Sequence, residues 1–154
     1  MAKPRLCIQT LPHFDGLDLP SYQSKEAAGL DIQAANPADE PVVLKPHGGR
    51  ALLPTGFCMR LDRGFEAQIR PRSGLALKFG VTLLNTPGTI DSDYRGEVKI
   101  LMINHGEEEF VVERGMRIAQ MVVASVLHMK VVQVDSLDET DRGKGGFGST
   151  GHKK

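Results

Sequence analysis

Glycine and proline break this chain so often that its apolar residues fall into short runs, and that punctuation settles the fold class. The 154 residues include 17 glycines and 9 prolines. Between them lie strand-like runs at residues 5–11, 29–35, 41–44, 49–59, 65–70, 81–85, 98–104, 109–113, 118–126 and 130–134, several rich in valine and isoleucine. β-Branched side chains lose rotamer freedom on a helix and pack well on a pleated surface. Short strands divided by turn residues build a sandwich or barrel, so the expected class is all-β. One stretch departs from the pattern. Ser73-Gly-Leu-Ala-Leu-Lys-Phe79-Gly80 joins helix formers to a serine at the expected N-cap and a glycine past the end, which predicts one or two helical turns.

A chain of this length forms one domain with a proper core. From residue 135 onward it turns polar and then glycine-dense, too poor in apolar surface to order itself. The expected division is a β domain over residues 1–135 and a flexible tail over 136–154. Lys+Arg and Asp+Glu both number 19, so nothing indicates a general affinity for nucleic-acid backbone. The lack of tryptophan argues against a stacking platform for single strands. Cys7 and Cys58 sit inside apolar runs and read as buried small hydrophobes in a reducing compartment. The five histidines are scattered, without the spacing of a zinc site. The N-terminus carries no secretory h-region, and no apolar run approaches the ~20 residues of a spanning helix. A soluble cytoplasmic protein, with no nucleic-acid or membrane partner, is the expectation.

Residues 82–97 hold the densest chemistry. This stretch joins two apolar runs and exceeds the ~2–5 residues a hairpin needs. Pro87-Gly88 is a turn signal. Around it stand the amide of Asn85, the carboxylates of Asp91 and Asp93, and Tyr94, one of two tyrosines. Such a set can read a hydrogen-bonding ligand edge-on, hold a water with a carboxylate and lay an aromatic ring against a flat group. A plain solvated loop is the alternative.

Four other segments carry groups of the same kind. Arg72 and Ser73 at a helix start offer an anion site, or simple capping. Gln120 is an amide inside an apolar strand and needs a partner, either backbone or ligand. Asp31, a lone carboxylate in an apolar run, must meet a cation, a metal-bound water or a set of donors. The tail matches G-x-G-x-x-G at Gly143, Gly145 and Gly148, but no helix can follow, so the dinucleotide reading fails. What remains there is Arg142, Ser149 and Thr150 for phosphate and Phe147 for a base, a segment able to close as a lid.

In order, AAGLDI, PRSGLAL, NTPGTIDSDYRGE, RGMRIAQ and RGKGGFGSTG resemble the five motifs of the homotrimeric dUTPases, the dUTP nucleotidohydrolases, from about residue 27 to 151. The resemblance implies a mostly antiparallel β-barrel or jelly-roll-like subunit and a homotrimer whose active sites are shared between chains. It implies hydrolysis of dUTP to dUMP and pyrophosphate with Mg²⁺, limiting uracil in DNA and supplying dUMP for thymidylate synthesis. Asp91 would orient the water that attacks the α-phosphorus. Asn85, with the backbone of Gly88, Thr89 and Ile90, would read the uracil edge, and Tyr94 would exclude a 2′-hydroxyl. Arg72, Ser73, Gly74 and Gln120 would hold the phosphates. Asp31 would reach Mg²⁺ through a water, the ion being held mainly by the substrate. Arg142, Gly148, Ser149 and Thr150 would close over the γ-phosphate while Phe147 stacks on uracil. Arg95 and Asp93 read as structural, and Arg117 as a partner for a buried carboxylate. The rivals are a dCTP deaminase-type enzyme and a non-catalytic nucleotide-binding module on the same fold.

Overall fold

A computed structural model describes residues 4–146. In chain order the strands are β1 (Leu6–Thr10), β2 (Ser21–Tyr22), β3 (Leu30–Gln33), β4 (Val42–Leu44), β5 (Gly49–Leu61) and β6 (Phe65–Arg70). The one α-helix among the described residues, α1 (Ser73–Phe79), follows. Then come β7 (Val81–Leu83), β8 (Gly88–Ile90), β9 (Glu97–Asn104), β10 (Phe110–Val112) and β11 (Arg117–Ser125). A 3₁₀ turn, Pro12–Phe14, joins β1 to the next connection.

Every strand pair is antiparallel. One sheet runs β1-β5-β9-β7, a second β2-β3-β11-β6-β8, and β10-β4 forms a two-stranded ribbon. Alternating residues of all three sheets converge on one core, with Leu53, Phe57, Ile100 and Met102 from the first, Ile32, Ile69 and Met121 from the second, and Leu44 and Val112 from the ribbon. This is the expected all-β, jelly-roll-like arrangement.

Two irregularities shape the surface. β5 is an interior strand and nonetheless carries Pro54, which cannot donate to a ladder. The β5–β9 register shifts between Pro54 and Cys58, so the proline sits at a bulge. The second shift lies in β11, between Arg117 and Ala119. Arg117 faces Gln33 and Gln120 faces Asp31, so the inserted Ile118 puts both polar residues on one outer face while Ile118 and Ala119 are buried.

Some expectations are corrected. Residues 130–134 form no strand; after β11 the chain runs on exposed and pairs with none of the sheets. Ser73 is the first helical residue and Arg72 occupies the N-cap, without a side-chain capping bond. Gly80 does close the helix in the left-handed conformation, φ 66°, with its N–H bonded to Ala76 O. Cys7 and Cys58 are free but only half-buried, since both lie on the outer face of the β1–β5 pair, and Arg60 donates to Cys7 Sγ at 3.4 Å.

Candidate active site

The stretch over residues 82–97 exceeds a simple hairpin because it visits both sheets. β7 pairs with β9 in the first sheet, and the chain then crosses to lay β8 against β6 in the second before returning. Gly88 is buried at the crossing, where an added Cβ would stand 3.1 Å from Asn85 Nδ2 and 3.5 Å from Ile69 Cβ. The crossing leaves a cleft of about 410 Å³ beside β9, lined by Thr89, Ile90, Asp91, Tyr94, Glu97 and Lys99 among others. We call it the hairpin cleft.

Its loop is tied mainly to itself. The Tyr94 N–H donates to Asp91 O at 3.1 Å, and Arg95 Nη1 donates to the carbonyls of Ser92 and Tyr94, both at 2.8 Å. Arg95 thus staples the loop to itself, in keeping with the structural reading. The Tyr94 hydroxyl donates to Glu97 O at 3.1 Å, and the ring folds over Gly96 so closely that an added Cβ would overlap its hydroxyl and stand 2.6 Å from Cζ. Glu97 closes the cleft. Burial pushes its carboxyl up, but the His13 hydrogen bond, the Gly56 N–H and the nearby His13 and Lys99 charges more than offset this and hold it below its usual range.

A second cleft, of about 420 Å³, gathers the other predicted residues: Asp31 from β3, Arg72 at the N-cap, Ser73 and Gly74 on α1, and Gln120 on β11. Asp31 Oδ2 lies 3.1 Å from Arg117 Nη1 and 3.6 Å from Arg72 Nη2. The carboxylate that needed a partner therefore has two, and Arg117 is the one foreseen. Arg72 Nη1 also donates to Arg117 O at 3.0 Å, and Arg117 Nη1 to Gln23 Oε1 at 3.3 Å. Gln120 Nε2 donates to Pro71 O at 3.0 Å, so its expected partner is backbone. Two guanidiniums share one carboxylate and leave a net positive charge suited to phosphate oxygens. We call this the phosphate cleft.

Gly29, Gly96 and Gln23 carried no assigned role in the sequence. An added Cβ at Gly29 would overlap Gln120 Oε1, so glycine there makes room for the amide. A glycine beside a motif side chain was the available signal for the first two; Gln23 had none. Arg142 lies on an exposed turn with Nε bonded to Gly145 O at 2.9 Å, and it lines neither cleft. Phe147, Gly148, Ser149 and Thr150 lie outside the described residues. A larger depression of about 570 Å³, beside Phe79 and residues 107–109, holds none of the predicted residues.

Fold and clefts together define a class: a jelly-roll-like subunit that carries an anion cleft and, separately, a carboxylate-and-tyrosine cleft. The dUTPase family model matches residues 15–151, and the chain belongs to that family. It is 59% identical over 150 residues to the deoxyuridine 5′-triphosphate nucleotidohydrolase of Rhizobium meliloti (strain 1021), covering 97% of this chain and 93% of the relative. The protein of that name from Beijerinckia indica subsp. indica is 56% identical over 149 residues, covering 97% and 92%. Among solved structures, a variant of the dUTPase of Staphylococcus bacteriophage 80alpha with dUpNHpp superposes with a TM-score of 0.83 at 24% identity, over 96% of this chain and 99% of that one. A phage phi11 dUTPase variant, described as coordinating a structural Mg(II) ion, superposes with a TM-score of 0.74 at 20% identity, over 88% and 99%. These two likenesses establish the fold.

Proposed function

We propose that this chain hydrolyses dUTP to dUMP and pyrophosphate in a homotrimer, at sites built from the phosphate cleft of one copy and the hairpin cleft of another. The observation that carries this is the split itself. Thr89, Ile90, Asp91 and Tyr94 line one cleft and Asp31, Arg72, Ser73, Gly74 and Gln120 the other, so neither cleft alone gathers the residues this reaction would use. Asn85 and Gly88 stand beside the first without lining it. The exposed run after β11 supports assembly: Leu127, Met129, Val131 and Leu137 are each at least 80% exposed. Such an apolar arm calls for cover, and other copies of the chain supply it.

In this reading the uracil edge meets Asn85 and the backbone of Gly88, Thr89 and Ile90. A site whose buried polar groups stay unpaired against the wrong base discriminates strongly. Tyr94 fills the space a 2′-hydroxyl would take. Asp91, exposed on the loop, polarises and orients a water for in-line attack on the α-phosphorus. Arg72, Arg117, Ser73, Gly74 and Gln120 hold the phosphates and take up charge as pyrophosphate leaves. Arg142, Phe147, Gly148, Ser149 and Thr150 serve as the closing segment.

The phosphate cleft also fits Mg²⁺ of a particular kind. No group of three or more metal-ligating side chains occurs among the described residues. Asp31 is the acidic residue lining this cleft, and its carboxylate already faces two arginines. Mg²⁺ keeps several waters and uses few carboxylates beside substrate phosphates. Asp31 would hold it through one of those waters, and the bound ion would neutralise phosphate charge. Among the described residues no helix is long and apolar enough to cross a membrane. The two free thiols fit a reducing cytoplasm, where the free nucleotide pool lies.

Pyrophosphate release with Mg²⁺, measured in parallel on dUTP, dTTP, dCTP and UTP, tests the proposal. Turnover of dUTP alone is expected. Ammonia release from dCTP would point to a deaminase-type enzyme, and tight dUTP binding without turnover to a binding module.

A further inference from the structure

We infer that His13, outside every motif segment, is a positioning residue that sets the hairpin cleft through Glu97. The inference rests on the reading of Tyr94 as the group that selects deoxyribose.

The start of β9 needs such a device because its backbone ladder is weak there. β7 pairs with β9 only over Met102–Asn104, leaving Glu97, Val98 and Lys99 without a partner on that side. On the other side the β5 bulge takes Thr55, Gly56 and Phe57 out of register, so pairing jumps from Lys99–Pro54 to Glu97–Cys58. Side chains replace the missing ladder bonds. Thr55 Oγ1 donates to Val98 O at 2.5 Å, the Gly56 N–H donates to Glu97 Oε1 at 2.9 Å, and His13 Nε2 lies 2.6 Å from the same Oε1. Glu97 O in turn accepts the Tyr94 hydroxyl. A displacement of Glu97 therefore moves the acceptor that orients Tyr94.

His13 is itself fixed. Arg114 Nη2 donates to His13 O at 2.9 Å and to Asp15 O at 2.7 Å, and Nη1 to Ala35 O and Asn36 O. The neighbouring Phe14 packs edge-on against Phe57, and the Leu11 N–H bonds Gly56 O at 2.7 Å. The 3₁₀ turn is thus bolted to the β5 bulge, with the imidazole as its one reach into the Glu97 carboxylate. Residues 12–15 hold this carboxylate in place much as a second layer of ligands orients a first.

The test is steady-state kinetics of His13→Ala and His13→Gln on dUTP and UTP, with melting temperatures. Loss of one charge-assisted hydrogen bond should raise KM for dUTP about fivefold, leave kcat within about twofold, and erode the dUTP/UTP preference about fivefold. Gln reaches far enough to donate to Oε1 and should restore most of that preference. An unchanged preference in His13→Ala, with the wild type strongly preferring dUTP, would overturn the inference and leave the proposed function standing. A wild type that does not distinguish the two nucleotides would remove the reading beneath it. A fall in melting temperature with no change in preference, or no rescue by Gln, would reduce His13 to a structural contact.

Discussion

The two clefts are wired in opposite ways. In the phosphate cleft the reactive groups stand on strands and a helix start, and they satisfy one another: Asp31 between Arg72 and Arg117, Gln120 on Pro71 O. In the hairpin cleft Asp91 and Tyr94 ride on an exposed loop, and Asp91 enters the hydrogen-bond network through its backbone carbonyl. The contrast suits the tasks proposed for them. A site for a highly charged anion gains from fixed, pre-oriented cations, because no reorganisation is then needed as charge shifts. A carboxylate that must hold a water is better left without a protein partner for its oxygens.

Substitutions that strike one cleft and spare the other sharpen this contrast. The largest effect should come from Asp91→Asn, with kcat reduced on the order of a thousandfold. Isothermal titration with a non-hydrolysable dUTP analogue should find affinity within a few-fold of wild type, and severely lost binding would break the assignment. Gly29→Ala should come next, since its methyl would displace the Gln120 amide from the phosphate cleft. A roughly tenfold rise in KM is expected, with little change in melting temperature because the displaced atoms end a flexible side chain. Gly96→Ala acts on the other cleft by lifting the Tyr94 ring, so the dUTP/UTP preference should fall severalfold while kcat on dUTP stays near normal. Should Gly29→Ala change sugar preference, or Gly96→Ala leave it intact, the two clefts would not divide the labour as drawn.

The smallest effect concerns acid. Glu97 titrates below its usual range in the folded chain, so its contribution to stability is complete above the unfolded carboxylate's pKa. That contribution is lost as pH falls through the lower, folded value. The stability gap between wild type and Glu97→Gln, followed by urea melts, should be constant near neutrality and narrow below the carboxylate range. A gap that widens in acid would reverse the assignment.

Much of this was readable from residue type and spacing. Asp31, isolated in an apolar run, announced its need for a cation, a metal-bound water or a set of donors, and Gly80 announced the helix end. The common face of Arg117 and Gln120 was not readable. Three residues apart in a strand they should point oppositely, and only the register shift at Ile118 aligns them. Nor did the sequence show that residues 88–90 form β8, since three residues give too short a pattern and the pairing with β6 is a tertiary fact. The run at 130–134 misled for the complementary reason: strand propensity depends on tertiary context, and here strand-forming residues are left exposed and unpaired.

The separation of the two clefts on one chain has a genetic corollary. Where each active site draws its halves from different copies, a lesion in one cleft and a lesion in the other need not share a site. Chains bearing Arg72→Ala and chains bearing Asp91→Asn, each nearly inert alone, would restore roughly one intact site in four when co-assembled in equal amounts. Two harmful alleles would then partly rescue each other, and a single harmful allele would poison sites that its healthy counterpart half supplies.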